Sequence, residues 1–239
     1  MGHTGRWAGV QAAIADPITS LAAALKNDPH PDKIGLCQGK YLDEDGKPYV
    51  LKAVEAAERE MALELADHEY PMVEGVPEFI PLARDFVFGS DSQAVAEGRV
   101  SSVQTLSGTG ALRVAAESLM SVSKIEDKNV WISTPSWGNH EHIFVSVGFA
   151  VHRYRYLNAA GTGLDFAGLR DDLASTVPEG GVVLMHSSAH NPTGVDPSPT
   201  QWDEIAEICR ARSLVPILDT AYQGFASGDP ERDAYCVRR

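Results

Sequence analysis

Hydrophobic and polar residues follow two rhythms along this chain, and the change falls near residue 100. Residues 1–50 mix short apolar segments with turn signals. One of these is the polar turn Asp43-Glu44-Asp45-Gly46-Lys47-Pro48, which leads into Tyr49-Val50-Leu51. Ala53, Val54, Ala57, Met61 and Leu65 then recur at helical spacing with Glu55, Glu58 and Arg59 opposite, which predicts a helix over 52–66. A loop at Tyr70–Gly75 separates it from a second helix over 77–89, with Gly89 as its C-terminal cap.

Beyond residue 100, apolar runs of strand length alternate with helical patterns. Val100–Leu106, with β-branched Val103 and Thr105, reads as a strand, and Ala111–Val122 as the helix behind it. Asn129–Ser133 and Phe149–Tyr156 read as strands, Leu169–Ala174 as a short helix, and Gly181–His186 as a buried strand. Ser198-Pro199-Thr200-Gln201 is a capping box with proline at the first helical position; its helix buries Trp202, Ile205, Ile208 and Cys209. Leu214–Leu218 is the last strand. Strands alternating with helices imply an α/β fold with a mostly parallel sheet.

Charge narrows the partners. Acidic residues outnumber basic ones by 33 to 20, a net charge of −13, which argues against nucleic acid or an anionic membrane as the main partner. No apolar run reaches membrane-spanning length. Cys37, Cys209 and Cys236 have no metal-like spacing and read as free thiols of a reducing compartment, the cytoplasm by default, with an organelle left open.

In parallel sheets, ligands bind beyond the carboxyl ends of the strands. Ser107-Gly108-Thr109-Gly110, Trp137–His140 and Asp219–Tyr222 each follow a predicted strand, and the loop Ala189-His190-Asn191-Pro192-Thr193-Gly194-Val195-Asp196 follows a fourth. Small residues and a helix N-terminus suit the first segment to an anion, although a plain strand-to-helix turn looks the same. Asp219 offers a carboxylate, or else an N-cap for the following turn. Tyr222 and Asn191 offer a hydroxyl and an amide, or else partial burial and a turn before proline. Trp137 sits in a Pro-Ser-Trp-Gly turn, an odd place for a core tryptophan, and suits stacking on a planar ring. His140 and His186 suit orientation of Asp219, with ordinary structural hydrogen bonding as the plainer reading. The four-residue spacing of His186 and His190 spans a strand end and a loop rather than a helix, so it does not read as a zinc pair. Ser121-Val122-Ser123-Lys124 lacks the companion motifs of a serine–lysine site, and Lys124 reads as a solvated helix-end lysine.

These segments together resemble the class I aminotransferases, specifically the aspartate aminotransferase subgroup of the fold-type I pyridoxal-phosphate enzymes. The resemblance runs from Trp7 to Arg239 and is most specific at Asp45–Leu51, Val103–Arg113, Trp137–His140, His190–Asp196 and Ala221–Asp229. It implies that residues 1–50 are an N-terminal segment and part of a small domain, and 51–239 the N-terminal part of the cofactor-binding large domain. It implies that Ser107, Gly108 and Thr109 hold the phosphate of pyridoxal 5'-phosphate and that Trp137 stacks on its ring. Asn191 and Tyr222 would bond the phenolic oxygen, and Asp219 the ring nitrogen, supported by His140. Tyr70 would reach the phosphate of the neighbouring subunit of a homodimer, and Gly39, Trp137 and Asn191 would line the substrate side. The implied reaction moves an amino group between L-aspartate and 2-oxoglutarate, through a pyridoxamine form.

Two departures qualify the resemblance. Cys37-Gln38-Gly39-Lys40-Tyr41-Leu42 replaces the glycine-valine-glycine-alanine-tyrosine-arginine run usual around Gly39. Family members continue well beyond the position of Arg239, and no lysine follows Lys128. The implied Schiff-base lysine, the phosphate-binding arginine, the substrate arginines and most of the small domain are thus expected outside this sequence. The expectation is a truncated large domain, inactive alone and marginally stable, with a non-catalytic cofactor-binding or subunit-pairing short form as the alternative.

Overall fold

The computed structural model describes residues 5–6, 9–11, 17–37, 39–64, 68–121, 125 and 127–239. Trp7, Gln38, Leu65 and Lys124, all named above, lie outside the described residues. The chain forms two compact units, residues 1–69 and 70–239.

The first unit carries α1 (Pro17–Asn27) and α2 (Lys52–Leu63). Lys33 ends α1 by donating to the carbonyls of Leu25 and Asp28 at 2.9 and 2.8 Å, where cations offset the helix dipole. The polar turn at Asp43 closes as expected. Gly46 takes φ +72°, the Asp43 carboxylate accepts from the N–H groups of Asp45 and Lys47, and Leu42 bridges Pro48. The apolar stripe of α2 is real as spacing, yet none of its described residues is buried.

The second unit begins with α3 (Phe79–Phe88) and α4 (Gln93–Ala96). Gly89 caps α3 at φ +90°, as its place in the sequence predicts. The predicted strand over Val100–Leu106 does not form. Its backbone makes one long-range bond, Gln104 N–H to Glu74 O at 2.8 Å, and Val103 is half exposed. β-propensity reports a fit to a paired, half-buried surface, and among the described residues this segment has no such partner.

The remaining elements alternate: α5 (Ser107–Ser121), β1 (Asn129–Thr134), α6 (Gly138–Val147), β2 (Ala150–Arg155), α7 (Phe166–Asp171, running into a π turn at Asp172–Thr176), β3 (Val182–His186), α8 (Pro199–Ala211), β4 (Val215–Asp219) and α9 (Pro230–Asp233). The strands form a parallel sheet in the order β2-β1-β3-β4. Strand β3 is buried at every position, and its side chains alternate between two cores. Val183 and Met185 face a cluster with Leu169, Leu173, Trp202 and Ile205 of α7, the π turn and α8. Val182 and Leu184 face a cluster with Leu112 and Ala116 of α5 and Ile143 and Phe144 of α6. The capping box of α8 forms in full, Ser198 Oγ accepting from Gln201 N–H and Gln201 Oε1 accepting in turn from Ser198 N–H. Asp172 fastens the π turn to β2 by accepting from the backbone and guanidinium of Arg155, and this pairing holds its carboxyl below the usual range. No described helix is long and apolar enough to cross a membrane.

Candidate active site

From β1 the chain moves outward in both directions, to β2 on one side and to β3 and β4 on the other. A crevice opens at such a switch point beyond the carboxyl ends of the strands. A cavity of about 180 Å³ lies there, lined by Gly108, Trp137, His186, Ser188, Asn191, Asp219 and Tyr222 among others. Four separate stretches of chain contribute, and no lysine among the described residues lines it.

The sheet register explains much of the grouping. His186 ends β3 directly opposite Asp219, which ends β4. The bond from Ser187 N–H to Asp219 O, 2.9 Å, extends the ladder by one step. Trp137 follows β1 and sits at the N-terminus of α6, whose first turn carries His140 inward to complete burial. This helix was not legible in the sequence, although Ile143, Phe144 and Val147 ahead of Gly148, a left-handed cap at φ +107°, carry its signature.

Hydrogen bonds link the buried histidines in one direction. Asn191 N–H donates to His186 Nδ1 at 3.2 Å, so the ring proton of neutral His186 sits on Nε2 and points to Ser136 Oγ, 3.2 Å away. The Ser136 hydroxyl proton is then free for His140 Nδ1 at 2.8 Å, and His140 Nε2–H donates to Asp219 Oδ2 at 2.9 Å. Among the described residues, the hydrogen-bond path from His186 to Asp219 therefore runs through Ser136 and His140. Burial, with the neighbouring histidines adding to it, pushes the pKa of His186 down to about 3, and burial pushes that of His190 down to about 4. The His186 and His190 rings lie 4.0 Å apart, and Tyr156 stacks on the far ring at 4.0 Å. Ser136 gave no sequence signal beyond its place beside a proline.

Against this fixed background stand groups with no partner. Among the described residues, Asp219 Oδ1, the Asn191 amide, the Tyr222 hydroxyl and the Trp137 indole N–H make no hydrogen bond with protein. Ser188 Oγ is buried with no partner among the described residues. Gly108 stands in the first turn of α5, where backbone N–H groups lack helical acceptors, and a Cβ there would meet nothing within 4 Å. Donors at a helix start, a carboxylate, an amide, a phenol and an indole on one small cavity can hold a planar, anionic, hydrogen-bonding ligand. Two non-glycine residues beside it, Ser107 and Ala189, take left-handed backbone at φ +59° and +47°.

The predicted residues do not all converge. Ser107 and Thr109 flank Gly108 in the same turn, both exposed. Tyr70 is 98% exposed and absent from the lining. Gly39 belongs to the first compact unit.

Residues 31–238 match the family described as Aminotransferase class I and II. The chain is 44% identical, over 236 residues, to the mitochondrial aspartate aminotransferase of Dictyostelium discoideum, covering 99% of this chain and 55% of that protein. It superposes on the cytoplasmic aspartate aminotransferase of Saccharomyces cerevisiae with a TM-score of 0.90 at 37% identity, covering 98% of this chain and 56% of that one. An aromatic-amino-acid aminotransferase of Burkholderia pseudomallei, covalently bound to pyridoxal phosphate, gives a TM-score of 0.89 at 38% identity, with 98% and 58% covered. The chain thus spans about half the length of the relatives it matches.

Proposed function

This chain belongs to the class I and II aminotransferase family, and we propose from that premise that it forms the N-terminal part of the cofactor-binding domain of a pyridoxal-phosphate-dependent aspartate aminotransferase. The whole protein would exchange an amino group between L-aspartate and 2-oxoglutarate, giving oxaloacetate and L-glutamate. One observation carries the reading: Asp219 is tied through Oδ2 to fully buried His140, while Oδ1 has no partner among the described residues and stands on a cavity beside Trp137, Asn191 and Tyr222.

When bound, pyridoxal phosphate supplies an electron sink for charge developing at the substrate's α-carbon. Asp219 would hold a proton at the ring nitrogen, and the His140 bond prevents its carboxylate from turning away. Asn191 and Tyr222 would donate to the phenolic oxygen, and Trp137 would cover one ring face and exclude water. Ser107, Gly108 and Thr109 would receive the phosphate at the start of α5. Tyr70, almost wholly exposed, would serve a second subunit of a homodimer. Gly39 would lie on the substrate side. We assign residues 1–50 to the N-terminal segment and small domain, residues 51–239 to the large domain, and the protein to the cytoplasm, which its three free cysteines suit.

The test uses pyridoxamine 5'-phosphate, which binds without a lysine. The 239-residue polypeptide is expected to bind it saturably and to show no aspartate-dependent glutamate formation. Asp219→Asn keeps an acceptor for His140 and removes the charge, so it should weaken binding about tenfold or more, the value of one charge-assisted bond. Equilibrium dialysis with no saturable binding by the unaltered chain would refute the reading.

A further inference from the structure

Asn191 reaches the cavity from a loop whose shape is set by a residue outside the cavity. The chain leaves β3 at His186 and turns through Ala189 at φ +47°, a left-handed conformation that alanine, unlike glycine, adopts at a cost. Asp196 faces that turn across the loop. Its Oδ2 accepts from Ala189 N–H at 2.7 Å and its Oδ1 from His190 N–H at 2.9 Å. Each carboxylate oxygen thus receives one of two successive backbone donors, a charge-assisted arrangement that left-handed turns make possible.

The other restraints on the loop act elsewhere. The His190 ring bonds Ser133 Oγ at 2.8 Å and Thr193 Oγ1 at 2.9 Å, and Tyr156 donates to Val195 O at 2.6 Å. Asn191 N–H is held by His186. Among the described residues, the Ala189 N–H donates to Asp196 alone.

We propose that Asp196 is a positioning residue: by holding Ala189 left-handed, it keeps the Asn191 amide where the phenolic oxygen of the cofactor is met. The inference rests on the function proposed above and adds a residue that touches neither cofactor nor substrate. It separates three outcomes that a loss of fold would merge. First, a ligand lacking the phenolic oxygen has nothing for Asn191 to bond, so it is indifferent to Asp196. Second, glycine at 189 takes the left-handed turn without help, so it restores what loss of Asp196 removes. Third, Asp196→Asn retains one acceptor oxygen and stands between the unaltered chain and Asp196→Ala.

The experiment measures dissociation constants of the full chain for pyridoxamine 5'-phosphate and for its 3-deoxy analogue, with thermal midpoints recorded in parallel. Asp196→Ala is expected to weaken pyridoxamine 5'-phosphate about tenfold, the equivalent of one well-placed hydrogen bond, and the 3-deoxy analogue by less than about twofold. Adding Ala189→Gly is expected to return the affinity to within about threefold of the unaltered chain, because glycine pays no left-handed penalty. Equal losses for both ligands, no loss at all, or no recovery with Ala189→Gly would overturn the role of Asp196. No binding of either ligand by the unaltered chain would instead count against the proposed function.

Discussion

His186 and His190 show what burial does to a residue whose charge is normally in play near neutral pH. Their rings stack 4.0 Å apart, each donates through Nε2 to a serine, and both are held neutral by desolvation at about 3 and about 4. In the unfolded chain they titrate near the ordinary 6.5. Between these values the unfolded chain binds protons that the folded chain refuses, so stability rises with pH and is lost as pH falls below about 6.5. Each histidine contributes a slope of up to about 1.4 kcal/mol per pH unit in that window, and its upper part, from about pH 5 to about 6.5, lies above the range where carboxylates titrate. Urea midpoints at pH 7.5 and 5.0 should differ in that direction, and His190→Phe should flatten the difference even though it costs overall stability. An unchanged slope in that variant would show that His190 is protonated in the fold. At this scale the sequence disclosed residue types well. Asp219, Asn191, Tyr222, Trp137 and His140 stood out as candidates, whereas Ser136 did not, because a serine beside a proline is ordinary turn chemistry.

Elements were legible where local chemistry is decisive. The capping box at Ser198 and the cap at Gly89 each stop or start a helix by satisfying particular backbone groups, so the local sequence suffices. The segment Val100–Leu106 was misread because a strand needs a partner that composition does not supply. The start of α5 falls between these cases. The sequence marked Ser107–Gly110 as a loop, and the structure makes it the first helical turn. Gly108 is outside the left-handed region and a Cβ there would touch nothing, so the fold itself does not require glycine. Gly108→Ala should leave stability within about 1 kcal/mol, since alanine is the better helix former. If the turn receives a phosphate, the same change should weaken pyridoxamine 5'-phosphate about tenfold by displacing it from one backbone donor. Thermal melts and dialysis on the same samples separate the two effects; unaltered affinity would move the phosphate elsewhere.

For the whole molecule, the sheet order is what turns four scattered motifs into one cavity. Apolar side chains of residues 70–106 are exposed, among them Val73, Leu82 and Leu106. Such surface favours association, so sedimentation velocity on the 239-residue chain should show concentration-dependent species larger than 25.7 kDa. A single monomeric boundary at all concentrations would oppose this. The sequence by itself determined the α/β alternation, the helix boundaries set by caps, and the kinds of side chain at the strand ends, because periodicity and capping act within a few residues of one another. It did not determine that His186 faces Asp219 across two strands, or that Ser136 joins His186 to His140. Nor did it reveal that Asp196 bends back onto Ala189. Those pairings join residues from 4 to 50 positions apart, and the register of the sheet, the packing of α6 against it and the fold-back of the loop after β3 bring such groups to hydrogen-bonding distance.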